Sequence, residues 1–167
     1  MEAIIRPDEL YYLGSLMKAD LIDYSYIKNV TNTADILNDL KIIRSLSEKG
    51  IIEMNFVGEA EVDPEIEQLL KPIFFGHKEI RFLIDEQIMN IHEHNNQFAI
   101  VFVDASNNSL KITEYDAQRI LSKIQGRNIT IQTADINKGY QKFIFSDHDT
   151  LNTETQKCII SIIEGGE

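Results

Sequence analysis

Two histidines separated by one residue are the first candidates for metal chemistry in this sequence. His92 and His94 form an H-x-H pair, which would place both rings on one face if the segment were a strand. Further ligands could come from a second group: Asp147, His148 and Asp149. However, Asn96 stands where an H-E-x-x-H motif has its second histidine, and the polar segment 85–97 predicts a loop with solvated histidines. We therefore expect no metal site and no bound cofactor.

The remaining residues with catalytic potential favour structural roles. Cys158, the only cysteine, lies among isoleucines and is interpreted as a buried small side chain. Asp104 follows an apolar run, at a position where a hairpin turn favours aspartate. The sequence contains no nucleophile-elbow, phosphate-loop or dinucleotide-binding motif. We expect a protein that is not an enzyme.

An acidic segment is the most distinctive charged feature. Five acids fall within nine residues with no base among them: Glu59, Glu61, Asp63, Glu65 and Glu67. Their spacing lacks the alternating acids and central glycine of a calcium-binding loop. The segment is either a solvated face or a docking surface for a basic partner, and in the second case Glu59 and Glu61 are candidate contacts.

Helices are predicted in the first half of the chain. Pro7 begins a helix over 7–18, and Thr33 can cap a second helix that ends at Gly50, in the left-handed position that glycine favours. A short strand that includes Ile51 and Ile52 follows, and then the acidic segment as a loop. Asp63 caps the next helix, with a proline at its first position.

Strands are predicted to dominate after residue 72. Alternation over 80–84 indicates one strand, and the run 98–104 is apolar on both faces, as in a central strand covered on both sides. Ser106, Asn107 and Asn108 mark a turn into a return strand at 110–112.

The last third of the chain combines both kinds of element. Thr113 is predicted to cap a helix ending at Gly126, followed by strands at about 128–134 and 140–145. The tail from Leu151 is either helix or strand. We therefore predict an α+β fold in one domain over 1–167, with helices packed on a mostly antiparallel sheet and an N-terminal helical portion.

Composition narrows the classes of partner. The chain has 167 residues, a net charge of −11 and no sequence cluster of lysine and arginine, which argues against nucleic-acid binding. The N-terminus lacks a basic segment followed by an apolar run, and no window of about 18 residues is continuously apolar. We expect no signal peptide, no membrane span and a cytoplasmic location.

The block LKIIRSLSEKGIIE, followed by EVDPEIEQLL, resembles the EspG family of type VII (ESX) secretion chaperones. The shared pattern is a helix that ends at a glycine, a short aliphatic strand and a Val-Asp-Pro-Glu helix start. The matching positions are Leu46, Gly50, Ile51, Ile52, Val62, Asp63, Pro64, Glu65 and Ile66. The first helix at 8–17 and the strand, turn and strand over 98–112 also follow the family order. A helix, glycine, strand and capped helix occur in winged-helix regulators as well.

The resemblance implies a cytosolic chaperone that shields the apolar tip of an exported helical partner. Family members are longer and have two pseudo-symmetric halves around one sheet. This chain would then correspond to one half or to a trimmed version, and homodimerisation could restore the two-fold arrangement. The candidate contact surface joins the turn at 106–108 to a stripe in the tail: Ile159, Ile162 and Ile163. The alternative is that the tail packs on the sheet.

Two interpretations from other classes stay open. A small acidic protein without catalytic motifs is also typical of an immunity protein that neutralises a toxin, often a basic nuclease. A winged-helix regulator would need a basic recognition helix, whereas 33–48 carries Lys41 and Arg44 against three acids.

Overall fold

Nine strands and seven helices make up the described part of the chain. The computed structural model describes residues 1–19, 22–28, 30 and 36–165. The strands are β1 (Glu2–Ile5), β2 (Ile52–Met54), β3 (Ala60–Val62), β4 (Lys78–Ile84), β5 (Gln87–His94), β6 (Gln97–Asp104), β7 (Ser109–Glu114), β8 (Ile129–Asp135) and β9 (Gly139–Phe145). The helices are α1 (Pro7–Met17), α2 (Tyr24–Ile27), α3 (Ile36–Glu48), α4 (Pro64–Phe75), α5 (Ala117–Ile124), α6 (Asp147–Leu151) and α7 (Thr153–Glu164).

The strands form one large antiparallel sheet and one separate hairpin. The large sheet has the order β1-β7-β6-β5-β4-β8-β9, and β2 pairs with β3 alone. Every neighbouring pair in the large sheet is antiparallel. The predicted α+β fold, with helices packed on a mostly antiparallel sheet, is confirmed.

The helices cover different parts of the two sheet faces. On one face, which we term the N-helix face, α1, α3 and α4 pack over β1, β7 and β6. On the other, the C-helix face, α5 and α7 pack over the middle of the sheet, from β6 to β8. The two helical layers are therefore offset from each other along the sheet.

A buried carboxylate links the start of α1 to the end of α3. Glu9 is fully buried, and it accepts hydrogen bonds from Lys49 Nζ at 2.6 Å and Ser45 Oγ at 2.7 Å. The backbone amide of Arg6 donates to it at 2.8 Å, and the guanidinium of the same residue lies 3.2 Å away. These donors replace the water that the carboxylate loses on burial.

The predicted helix ends agree closely with the structure. Helix α1 begins at Pro7, and Gly50 follows α3 with a φ of 68°, the left-handed conformation that favours glycine. The Asp63 carboxylate accepts from the backbone amides of the second and third residues of α4, which caps that helix as predicted. Thr33, the predicted cap of α3, lies outside the described residues.

Three predictions about the middle of the chain are wrong. The acidic loop is in part a strand, because Glu61 of β3 pairs with Glu53 of β2. The segment 85–97 contains β5, a central strand, and not a loop. Thr113 lies within β7, and the cap of α5 is Asp116.

The chain ends provide two further elements of the fold. Strand β1 was not predicted from the sequence, and it pairs with β7 at the sheet edge. The tail forms helix α7, whose last carbonyls accept hydrogen bonds from Lys78 Nζ of β4 at 2.8 and 3.1 Å. Among the described helices, none is both long enough and apolar enough to cross a bilayer.

Candidate functional site

An apolar row crosses the part of the N-helix face that no described helix covers. The strand register places Leu83 of β4 between Ile88 of β5 and Thr130 of β8, and Thr130 lies opposite Ile144 of β9. Ile88, Leu83 and Ile144 are 39%, 45% and 72% exposed. We term these four residues the open row. Because neighbouring strands lie about 4.8 Å apart, the open row is roughly 14 Å long.

A groove and a polar border flank the open row. The groove has a volume of about 390 Å³ and is lined in part by Leu83, Thr130 and Ile144. The polar border is the neighbouring row on the same face, toward the opposite end of the sheet. It runs across the same four strands and consists of Asn90, Arg81, Gln132 and Lys142.

Arg81 organises the charged groups at this border. Its guanidinium donates to Asp23 at 3.1 Å, to Glu79 at 3.0 Å and to the Asn90 side-chain carbonyl at 3.3 Å. Partial burial, together with the nearby carboxylate of Asp23, raises the pKa of Glu79. The border therefore remains polar beside the apolar open row.

A buried hydrogen-bond chain continues from this border to helix α2. The Asn90 amide donates to the Tyr26 hydroxyl at 2.6 Å, and that hydroxyl lies 2.7 Å from Nε2 of His92. Burial lowers the pKa of His92 to about 4 and raises that of Tyr26 well above its usual value. Both groups are neutral at pH 7, so the hydroxyl can accept from Asn90 and donate to the imidazole. These two hydrogen bonds fix α2 on the sheet.

The histidine pair has a structural role in this fold. His92 and His94 lie on one face of β5, but neither belongs to the solvated loop that was predicted. His94 Nδ1 donates to the carbonyl of Phe75 at the end of α4, at 2.7 Å. Among the described residues, no three acidic, histidine or cysteine side chains come together as a metal site.

A second cavity, of about 830 Å³, opens on the C-helix face at the same end of the sheet. Its floor is apolar and includes Ile84, Met89 and Phe102. Ile4 of β1 lies on one wall. The volume is within the range of small-molecule sites, about 300 to 1,000 Å³. We term it the basic cavity because of the charged groups on its walls.

Four basic side chains line the basic cavity. Lys111 comes from β7, Arg119 and Lys123 come from α5, and Arg127 follows that helix. The side-chain charges of Arg119 and Lys123 each lie 5.7 Å from the ring centre of Phe102. The two acidic lining residues are Glu86 and Asp104. Positive charge therefore predominates on the walls, although the chain as a whole is strongly acidic.

Asp104 uses its carboxylate to hold the turn at the cavity rim. It accepts hydrogen bonds from the backbone amides of Ser106 and Asn107 and from both of their side chains, at 2.6 to 3.1 Å. Led by the Ser106 hydroxyl, these bonds lower the pKa of Asp104 to about 2. The predicted turn role of Asp104 is confirmed.

The predicted contact residues of the turn and the acidic segment lie in different places. Ser106 and Asn107 lie on the rim of the basic cavity, and Asn108 is exposed in a left-handed conformation. Glu59 and Glu61 are exposed on the β2–β3 hairpin, and no lining residue of the basic cavity comes from that hairpin. The fold does not combine these two groups into one site.

The tail residues require a correction. Ile159 and Ile163 are 0% exposed and belong to the core of the C-helix face, while Ile162 is half-buried. A partner cannot reach the first two in this fold, so the alternative that the tail packs on the sheet is the correct one. Cys158 is exposed, contrary to the prediction that it is buried.

The sequence interpretation missed both surfaces, for different reasons. The open row combines single residues from four strands, so only the strand register reveals it. The basic cavity had a local signal, since Arg119, Lys123 and Arg127 are spaced by four and such residues lie near one another on a helix. Lys111 joins them only through the fold. No protein-family model and no curated protein matches this chain.

Proposed function

We propose that the protein is a cytosolic binding module that shields an apolar helical segment of an exported partner. The observation that carries the proposal is the open row, whose Leu83, Ile88 and Ile144 are exposed aliphatic side chains on the part of the N-helix face that no described helix covers. Contiguous exposed apolar surface on a soluble protein commonly marks an interaction site. Elsewhere on the same face, helices α1, α3 and α4 already pack in the way that a partner helix would.

The dimensions of the open row support a helical occupant. A row of roughly 14 Å accommodates one α-helix, whose diameter with side chains is about 10 to 12 Å. The polar border, including Arg81 and Lys142, would form a rim of the kind found around apolar interface centres. An amphipathic helix could therefore bury its apolar side on Leu83 and Ile144 and keep its polar side in water.

The test combines co-purification with a matched pair of variants. Ile144→Glu places a charge in the open row, while Ile136→Glu makes the same change at a comparably exposed position in the β8–β9 turn. We expect recovery of small helical secreted proteins from native extract with the wild type and Ile136→Glu, and at least about tenfold less with Ile144→Glu. Both variants should keep the melting temperature of the wild type. Equal recovery with both variants would contradict the proposal.

The immunity interpretation has its own supporting surface. The β2–β3 hairpin exposes Phe56 and Val57 at its tip and carries Glu53, Glu59 and Glu61 on its strands and turn. Such a surface suits a basic toxin domain. Glu59→Lys combined with Glu61→Lys should then abolish capture of the toxin domain, whereas Ile144→Glu should leave it unchanged. The opposite pattern favours the chaperone proposal.

A further inference from the structure

We infer that the basic cavity binds an amphiphilic anion, a small molecule with one carboxylate or phosphate group on an apolar body. This inference does not depend on the proposed function, because the cations that carry it belong to the basic cavity alone, and Ile88 is the one residue of the open row that also lines the cavity. It rests on the combination of an apolar floor with cations that have few acidic partners.

The apolar half of the site is already formed. Ile84 and Phe102 line the floor on the C-helix face, and the neighbouring Met89 is almost fully buried. Ile4, on the wall formed by β1, is 54% exposed although it is a large aliphatic residue. An apolar ligand body between Ile4 and the floor would remove this side chain from water, at about 25 cal/mol for each Å² buried.

The cationic half of the site is concentrated at α5. Arg119 and Lys123 approach the same aromatic ring, Phe102, each with its charge 5.7 Å from the ring centre, so both cations lie beside one part of the floor. In the described part of the chain, Lys123 forms no ion pair with an acidic side chain. Among the described acidic residues, Arg119 pairs only with Glu2, at 3.6 Å, and shares it with Lys111 at 2.8 Å.

The acidic residues of the lining do not neutralise this charge. The Asp104 carboxylate accepts four hydrogen bonds within its own turn, and the cations form no ion pair with it. Arg127 pairs with Asp85 outside the lining, at 3.6 Å. An incoming anion beside Phe102 would therefore meet two cations and could accept charge-assisted hydrogen bonds from them. A cationic head group would be repelled by them.

Three probes with the same apolar body test the inference on the wild-type chain. Octanoate and octyl phosphate carry the predicted head groups, and octanol is their neutral counterpart. We expect both anions to shift the NMR signals of Phe102 and Ile84 saturably, with dissociation constants below about 1 mM. Octanol should bind at least about tenfold more weakly. The ratio of octanoate to octyl phosphate affinity distinguishes a carboxylate site from a phosphate site.

Variants and salt provide a second measurement. Lys123→Gln should weaken octanoate binding about tenfold, while Lys142→Gln, on β9 and outside the cavity, should leave it unchanged. Because the chain has no tryptophan, Ile4→Trp supplies a single tryptophan on the cavity wall, which can be excited selectively over the six tyrosines. Its emission should respond to octanoate but not to octanol at equal concentration. Raising the salt concentration should weaken anion binding, since partly exposed charges are screened.

The inference would be overturned by any of three results. Equal affinity for octanoate and octanol would show that the cations play no part. Shifts confined to Leu83 and Ile144 would place the probe on the open row. Absence of saturation with every probe would show that the cavity binds no such ligand.

Discussion

The cores on the two faces of the sheet are built from different chemistry. On the C-helix face, ten of the twelve residues in the buried cluster are isoleucine, and the buried polar side chains that its strands carry are the threonines Thr113 and Thr133. The N-helix face instead buries Glu9, Asn90 and His92 together with their partners. One face is stabilised mainly by apolar burial, and the other adds directional hydrogen bonds that fix where its helices lie.

The difference explains why the open row and the basic cavity occur where they do. The N-helix layer ends at β5 and β4, where Tyr26 accepts a hydrogen bond from Asn90 and Arg81 donates one to Asp23. No described helix lies over the sheet beyond that border. On the C-helix face, α5 and α7 centre on the middle strands and leave β1 and β7 open beside Lys111. Each of these two candidate surfaces is thus a part of the sheet that the offset, described helical layers leave uncovered.

The largest expected effect is a loss of folding stability when the apolar core of the C-helix face is truncated. Phe82 is fully buried on the C-helix face, so Phe82→Ala should lower the free energy of unfolding by about 3 to 5 kcal/mol through lost burial and a residual cavity. Urea denaturation measures this change. The reference is Phe56→Ala at the fully exposed hairpin tip, which should change it by less than about 0.5 kcal/mol. A similar small loss for both would show that the C-helix core is loosely packed.

The next largest effect is a pH dependence of folding stability that comes from the hydrogen-bonded N-helix face. The pKa of His92 is lowered from 6.5 to about 4 on folding, so the unfolded chain binds more protons between these values. Above pH 6.5 His92 is neutral in both states and does not lower the free energy of unfolding. As the pH drops from 6.5 toward 4, the free energy of unfolding falls by up to about 3 kcal/mol. Denaturation at several pH values should show a weaker pH dependence for His92→Gln.

A control variant and the behaviour of Glu79 allow the pH dependence of unfolding to be assigned to His92. His148 is exposed, so His148→Gln should preserve the pH dependence of the wild type. The raised pKa of Glu79 acts in the opposite direction, since it favours the folded state at low pH, and it is present in the wild type and both variants. An unchanged pH profile in His92→Gln would show that the buried imidazole does not distinguish this face.

The smallest effect concerns a single hydroxyl on the C-helix face. Thr113 Oγ1 is buried and has no hydrogen-bond partner among the described residues. Thr113→Val replaces it with a methyl group of similar size, so the free energy of unfolding should stay equal or rise by up to about 1 kcal/mol. Differential scanning calorimetry would detect the change as a higher melting temperature. A clear loss of stability would mean that this face also depends on polar contacts.

Local sequence signals predicted the elements whose ends are determined locally. The Asp63 cap with Pro64, the glycine stop at Gly50 and the first turn after Pro7 each involve residues within a few positions of one another. The apolar strand β6 was also predicted, because burial on both faces leaves a continuous apolar run.

The failures come from contacts between distant residues. Strand β5 carries Asn90 and His92 on its N-helix face, and these polar side chains are buried only because Tyr26 satisfies them. Strand β1 is four residues long and depends on β7, more than 100 positions away. The open row likewise needs the register of four strands, whereas helical spacing alone could have indicated the cations of α5.

The pairing of β1 with β7 also sets an order of events during synthesis. The helices of the N-helix face are complete once residue 75 has been made, but β7, on which they pack, ends at Glu114. At about 5 to 20 residues per second, the intervening 39 residues take roughly 2 to 8 s to translate. During that interval Leu10, Leu70 and Phe74 have no sheet to cover them. The N-terminal helices of the nascent chain therefore keep their apolar side chains exposed until the ribosome has synthesised the strands that cover them.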